Sequence, residues 1–96
     1  MFKIIVLCGS IKFKDKFQEI YEKLSLEGNL VLMPIFFENT DEELIDKDLL
    51  MKIHKQKIDM ADEVHFINVD KYFGSDSIDE LIYAQQHKKK ITFLEE

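Results

Sequence analysis

Two short segments near opposite ends of the chain carry residue types suited to chemistry on a sugar or a nucleotide. Cys8–Lys12 follows an apolar run and contains Gly9 and Ser10, whereas Gly74–Glu80 precedes a helical pattern and ends on a carboxylate. Each segment lies where a predicted strand turns into a predicted helix. Such turns gather at the carboxyl edge of a parallel sheet, where ligands bind. We therefore predict one pocket formed by both segments, with the Glu80 carboxylate inside it.

Each of these residues also has a purely structural interpretation. A Gly-Ser pair after a strand is commonly only a tight turn and a helix cap, and Lys12 is typical of a solvated surface. Ser77 and Glu80 have the spacing of a capping box, and an acidic residue in the first turn of a helix is stabilising by itself. The spacing of Ser77 and Glu80 alone therefore does not decide whether Glu80 serves catalysis or helix capping.

The three histidines and the single cysteine are the remaining candidates for catalysis or metal binding. Helical periodicity puts His54 and Lys57 on an apolar stripe, so both polar side chains are predicted to face inward. An inward histidine is either a satisfied core residue or an acid that titrates near neutrality. His65 and His87 have no partner at metal-ligand spacing, and Cys8 is expected to be a small buried hydrophobe. The sequence therefore predicts no metal site and no cofactor.

The elements that must position these residues follow from hydrophobic periodicity. Continuous apolar runs predict buried parallel strands, and apolar residues at helical spacing predict amphipathic helices. Pro34 is expected to loosen the end of the second strand, and Thr40 has capping-box spacing to Glu43 at the start of the second helix. The predicted strands cover Phe2–Cys8, Leu30–Phe36, Val64–Val69 and Lys90–Leu94, and the predicted helices cover Lys14–Glu27, Thr40–Ala61 and Ser77–His87.

The alternation of strands and helices predicts a single α/β domain over residues 1–96. Right-handed crossovers favour a flavodoxin-like three-layer sandwich with a short four-stranded parallel sheet in the order 2-1-3-4. The switch point of this sheet lies between the first and third strands, so the loops after Cys8 and Val69 should flank the pocket. The stretch Phe36–Asp48 is predicted to be either a lid over that pocket or an interface segment.

Composition excludes several classes of function. Thirteen basic and nineteen acidic residues give a formal charge of −6, which opposes broad contact with a nucleic-acid backbone. No apolar stretch approaches the roughly 20 residues that span a bilayer. The lone cysteine and the absence of a secretory leader predict a cytoplasmic protein.

Three segments together resemble the nucleoside 2-deoxyribosyltransferase superfamily: Cys8–Lys12, Met60–Val64 before an apolar strand, and Glu80–Ala84. The first segment is most similar to the 2'-deoxynucleoside 5'-monophosphate N-glycosidase branch. The resemblance covers most of the chain in the same order, although the chain is shorter than typical members and lacks a fifth strand.

The resemblance implies a retaining attack on an N-glycosidic bond, with Glu80 as the nucleophile that adds to C1' of the sugar. It also places His54 where the family often has an aspartate that protonates or hydrogen-bonds the departing base. Asp76, Ser77 and Ile82 depart from the glycines usual around that glutamate. The residues implied to contact substrate are Cys8, Gly9, Ser10, Ile11, Lys12, Asp70, Gly74, Ser75 and Ser77.

These observations favour an enzyme that cleaves or transfers at the N-glycosidic bond of a nucleoside, a deoxynucleoside or its 5'-monophosphate. Two alternatives remain open from the sequence. One is a nucleotide-binding module of the same fold without turnover, favoured by the lost glycines around Glu80. The other is a small homo-oligomeric interaction protein whose aromatic pairs Phe36–Phe37 and Tyr72–Phe73 form a subunit contact. The enzyme is also expected to be a homodimer or a larger assembly. The chain is too short to bury a large core, and the resemblance implies a site completed by a neighbouring subunit.

Overall fold

The computed structural model describes all 96 residues and shows a four-stranded, all-parallel sheet in the order β2-β1-β3-β4. The strands are β1 (Ile4–Gly9), β2 (Leu30–Leu32), β3 (Glu63–Ile67) and β4 (Lys90–Phe93). The helices are α1 (Lys14–Leu26), α2 (Lys47–Met60) and α3 (Ser75–Gln86). Single 3₁₀ turns occupy Ile11–Phe13, Glu42–Leu44 and Val69–Lys71. The predicted flavodoxin-like class and strand order are confirmed.

Side-chain alternation along β1 separates the core into two halves. Val6 and Cys8 face one side of the sheet, where they pack with residues of α2 and α3, whereas Ile5 and Leu7 face α1. The four side chains are at most 4% exposed. A strand covered on both faces needs apolar residues at every position, which is why this run is continuous. The three-layer sandwich follows from the burial of both sheet faces.

The second helix begins later than the sequence indicated. Thr40 does not cap it, because the chain between Glu42 and Leu44 forms only a 3₁₀ turn and Ile45 returns to extended backbone. The actual cap is Asp46, whose side chain accepts a hydrogen bond from the backbone N–H of Leu49. The predicted capping box at Thr40 is therefore wrong.

The third helix begins earlier than predicted. Gly74 is its N-cap residue, so Ser77 lies inside the helix and is 1% exposed. No side chain caps this helix. The predicted capping box of Ser77 and Glu80 is wrong, and Glu80 lies in the second turn rather than the first.

The second strand is also shorter than predicted, because it ends at Leu32, before Met33 and Pro34. Proline cannot donate a ladder hydrogen bond, and the chain leaves the sheet where it approaches this residue. The segment that follows runs across the carboxyl edge of the sheet. There Phe36 anchors it by packing edge-on against Phe17 of α1, with ring centroids 5.3 Å apart.

Candidate active site

A cleft of about 890 Å³ opens at the carboxyl ends of β1 and β3, the switch point of the sheet. Its size is in the range usual for small-molecule sites. The turn after β1, the segment after β2, the inner face of α2 and the first two turns of α3 form its walls. The lining residues that the sequence had singled out are Gly9, Ser10, Ile11, His54, Gly74, Ser75 and Glu80.

Gly9 brings the first wall close to the neighbouring strand. Its φ is +144°, a backbone conformation that favours glycine, and a β-carbon at this position would lie 2.7 Å from the carbonyl oxygen of Ile67. Either feature alone would strain another residue type. The next residue, Ser10, accepts a weak hydrogen bond at 3.4 Å from the N–H of Lys12, which shapes the turn.

Glu80 and His54 meet at the floor of the cleft. His54 lies on the buried stripe of α2 with Ile58, and Glu80 lies on the buried stripe of α3 with Ser77 and Ala84. His54 Nε2 is 2.9 Å from Glu80 Oε2, and the two residues are 8% and 6% exposed. Helical periodicity puts both side chains on the inward faces of their helices, and the floor of the cleft lies between these faces.

Burying a carboxylate costs free energy unless the group has hydrogen-bond or ion-pair partners, and the Glu80 carboxylate has few of them. Glu80 Oε2 and His54 Nδ1 are buried without a well-oriented hydrogen-bond partner. Because Glu80 is beyond the first turn of α3, neither capping nor the helix dipole accounts for its burial. Incompletely hydrogen-bonded polar atoms at the floor of a cleft mark a candidate ligand site.

Cys8 lies directly behind this pair. Its Sγ is 3.2 Å from His54 Nε2, and its side chain is fully buried. Burial, followed by the charge of Glu80 and a hydrogen bond to it, raises the pKa of the Cys8 thiol well above its ordinary value. Cys8 is thus the small buried residue that the sequence predicted, and its raised pKa favours the protonated thiol. Its contact with His54 is the one feature that the sequence did not indicate.

Four predicted contact residues do not line the cleft: Cys8, Lys12, Asp70 and Ser77. The Lys12 ammonium lies 3.3 Å from the centroid of the Tyr72 ring, a cation–π contact at the cleft mouth. The backbone N–H of Asp70 donates to the carboxylate of Glu95, which holds the loop after β3 beside the end of β4. Ile82 is 45% exposed and does not narrow the cleft.

The sequence analysis missed several lining residues of α2 and of the segment before it. Asp48, Met51 and Lys57 line the cleft from the same helix as His54. Lys57 had been predicted to face inward, and its ammonium donates to the backbone carbonyl of Met33 at 2.8 Å. Burial lowers the pKa of Lys57. Helical spacing counted back three residues from His54 could have found Met51, since the predicted helix already covered both residues.

The aromatic pairs divide between core and cleft. Phe73 packs inside, 5.2 Å from the ring of Phe66, whereas Phe37 and Tyr72 line the cleft. Phe36 does both, because it packs against Phe17 and also lines the cleft. The segment after β2, left open as a lid or an interface, forms one cleft wall.

Comparison with known proteins adds one finding. No protein-family model matches the sequence, and no curated protein matches it. Among solved structures, the fold is similar to that of a 2-desoxiribosyltransferase from Leishmania mexicana, with a TM-score of 0.73 and 16% sequence identity. The match covers 95% of this chain but only 63% of that one. At this identity the likeness shows a shared α/β fold.

No helix of the chain combines the length and apolar character needed to cross a membrane.

Proposed function

We propose that this chain cleaves or transfers at the N-glycosidic bond of a nucleoside, a deoxynucleoside or its 5'-monophosphate. The observation that carries the proposal is the Glu80 carboxylate, buried beside His54 at the floor of a nucleoside-sized cleft. The fold shared with a protein named as a 2-desoxiribosyltransferase supports it. So do the sequence motifs around Cys8 and Glu80.

In the proposed reaction, a Glu80 oxygen attacks C1' of the sugar while the bond from C1' to the base nitrogen breaks. The electron pair of that bond goes to the base, and protonated His54 donates a proton to it as it leaves. A glycosyl ester on Glu80 results. Water or a second base then attacks C1' from the vacated face, the ester bond breaks, and Glu80 returns as a carboxylate.

His54 also fits the second step. After it has lost its proton, its imidazole accepts one from the attacking water or base, which restores the starting state. The 2.9 Å distance between His54 Nε2 and Glu80 Oε2 supports a joint role for these two residues. Retaining glycosidases hold their nucleophile and acid about 5–5.5 Å apart, so His54 and Glu80 would have to separate by about 2–3 Å for C1' to lie between them.

The sugar and any 5'-phosphate would lie against the turn after β1 and the start of α3. Gly9 and Ser10 offer backbone and hydroxyl groups from the first, and Gly74 and Ser75 from the second. The unpaired N–H groups at the start of a twelve-residue helix attract anions. Asp76 lines the same wall and opposes a phosphate, so the phosphate preference must be measured.

The test follows base release from a panel of nucleosides, deoxynucleosides and 5'-monophosphates by chromatography, with and without an added free base. Glu80→Gln keeps the side-chain shape and removes the nucleophilic charge. We expect the release rate to fall on the order of 10³-fold or more, as when nucleophiles are removed elsewhere. The matched control is Asp79→Asn, which makes the same charge change at an exposed neighbour on α3 and should retain the wild-type rate.

Full turnover by Glu80→Gln would overturn the assignment of the nucleophile. Dependence of release on the added base would identify a transferase, and independence a hydrolase. If wild type and variant both release nothing yet a deoxynucleotide raises the melting temperature, the proposal fails and a binding module without turnover replaces it.

A further inference from the structure

The three buried side chains Cys8, His54 and Glu80 bring three different ligand chemistries to one point. They come from the end of β1, the middle of α2 and the second turn of α3, respectively. One thiol sulfur, one imidazole nitrogen and one carboxylate oxygen all lie within 4.8 Å of one another. Sequence spacing gave no hint of this cluster, because its members are 46 and 26 residues apart along the chain.

We propose that Cys8, His54 and Glu80 form a binding site for zinc or a similar thiophilic divalent cation. Zinc prefers sulfur, nitrogen and carboxylate ligands, and it accepts three protein ligands with an open fourth position. Here the fourth position faces the cleft, which His54 and Glu80 line and Cys8 closes from behind. The proposal replaces the prediction from sequence that the chain has no metal site.

Two geometric observations support the site. His54 Nε2 is 3.2 Å from Cys8 Sγ and 2.9 Å from Glu80 Oε2. Ligand atoms around a tetrahedral zinc ion are separated by roughly 3.3–3.7 Å, given bonds of about 2.0–2.3 Å, so these two distances need only a small expansion. The third pair, Cys8 with Glu80, lies within 4.8 Å and has to shorten by no more than about 1.5 Å. In addition, Glu80 Oε2 is buried and has the contact with His54 but no well-oriented hydrogen bond, so a bound cation would add a strong interaction to it.

The residues around the cluster also affect its expected affinity for zinc. His54 Nδ1 has no hydrogen-bond partner, whereas metal-bound histidines ordinarily donate from their second nitrogen. Loss of such a partner typically costs 10- to 100-fold in affinity. We therefore expect a dissociation constant in the micromolar range, weaker than that of a structural zinc site. The thiol proton of Cys8 is released to solvent when the metal binds.

The expected effect of zinc on base release rests on the proposed function. If Glu80 is the nucleophile, zinc and substrate compete for the same carboxylate, and zinc inhibits base release. Whether zinc binds at all does not depend on that assumption. Direct binding and inhibition are therefore measured separately.

Binding is tested by calorimetric titration of the metal-free protein with zinc chloride, and by the absorption spectrum after addition of cobalt(II). We expect one ion per chain and, with cobalt, a near-ultraviolet sulfur-to-metal charge-transfer band. Cys8→Ser should abolish that band and weaken zinc binding by tenfold or more. Because Cys8 is fully buried, the near-isosteric Glu80→Gln is the second variant, and it should weaken zinc binding without a change of core volume.

The matched control is His87→Ala, which removes an exposed imidazole 4.0 Å from Asp59 and should leave the titration unchanged. The proposal is overturned if wild type shows no saturable binding up to about 100 µM zinc, a concentration far above the expected dissociation constant. It is also overturned if binding survives intact in Cys8→Ser and Glu80→Gln, which would place the ion elsewhere. Zinc binding by a protein inactive on every nucleoside would refute the proposed function alone.

Discussion

At the scale of single residues, the pairing of His54 with Glu80 decides what the cleft can do. A carboxylate alone can form a glycosyl ester, but an unprotonated base is a poor leaving group. In the proposed reaction, the His54 imidazole, 2.9 Å from the carboxylate, would supply the missing proton, and its contact with Glu80 offsets part of the cost of burying that group. With His54 in this proposed role, the rate of base release depends on how readily the leaving base departs without a proton.

We expect His54→Gln to lower the rate of base release by about 10²-fold or more, the usual contribution of a positioned acid. The loss should be much smaller for a nucleoside whose base already carries a positive charge, such as a 7-methylpurine, because that base departs without a proton. The measurement compares kcat for the two substrate types in wild type and variant. Equal losses on both would mean that His54 positions Glu80 and does not donate a proton.

The sequence identified Glu80 and His54 but not their contact with Cys8. Helical periodicity is local, so the inward direction of His54 could be predicted from its neighbours on α2. The position of Cys8 depends on which face of β1 it occupies and on which helices cover that face. Both are set by the tertiary fold, which local pattern does not contain.

At the scale of elements, the start of α2 shapes one wall of the cleft. Asp46 accepts a hydrogen bond from the N–H of Leu49 at 3.1 Å, and the helix that carries His54 begins at the next residue, Lys47. The residues before it run as extended chain and a 3₁₀ turn along the cleft rim. A helix begun at Thr40 would have removed that rim.

We expect Asp46→Ala to destabilise the protein by about 1 kcal/mol, the usual cost of losing an N-cap side chain. The matched control is Asp41→Ala, since Asp41 precedes the 3₁₀ turn, is exposed and makes no side-chain cap. Its free energy of unfolding should stay within about 0.5 kcal/mol of wild type. Urea unfolding of both variants measures the difference, and equal destabilisation would contradict the assignment of Asp46 as the cap.

Strands and helix interiors could be predicted from the sequence, whereas helix starts could not. The apolar runs of β1 and β3 and the interiors of α1, α2 and α3 were located correctly. Thr40 and Asp46 are both suitable cap residues, and so are Gly74 and Ser77. Which candidate caps a helix depends on where the chain leaves the preceding strand or loop.

At the scale of the whole molecule, β3 and β4 are joined on the α1 side by a polar network. The hydroxyl of Thr92 donates to Glu63 Oε2 at 2.7 Å and lies 2.8 Å from His65 Nδ1. Lys3 forms an ion pair with Glu63 at 2.6 Å. Because β3, β4 and the residue just before β1 contribute to this network, its protonation state affects the stability of the sheet. The homodimer expected from the small core stays a prediction.

The pKa directions in this network give its pH dependence. Burial lowers the pKa of His65, although the charge of Glu63 opposes the shift. Burial raises the pKa of Glu63, but hydrogen bonds from Lys3 and Thr92 and the charges of Lys3 and Lys90 together lower it below its ordinary value. For both groups the folded state binds its proton less tightly than the unfolded chain does. The stability that each group contributes to the folded protein is therefore complete above its pKa in the unfolded chain. This stability is lost as the pH falls through its pKa in the folded protein.

We expect stability to decline in two windows, one below about pH 6.5 from His65 and one below about pH 4.3 from Glu63. Urea unfolding from about pH 7.5 to about pH 3 measures this decline. His65→Asn should remove the upper window, and Glu63→Gln should flatten the lower one while reducing stability at neutral pH. The same change at exposed His87 is the control and should leave the upper window in place. A His65→Asn profile parallel to wild type between about pH 7 and pH 5 would show that the imidazole is not linked to folding, and would assign the acid sensitivity to carboxylates alone.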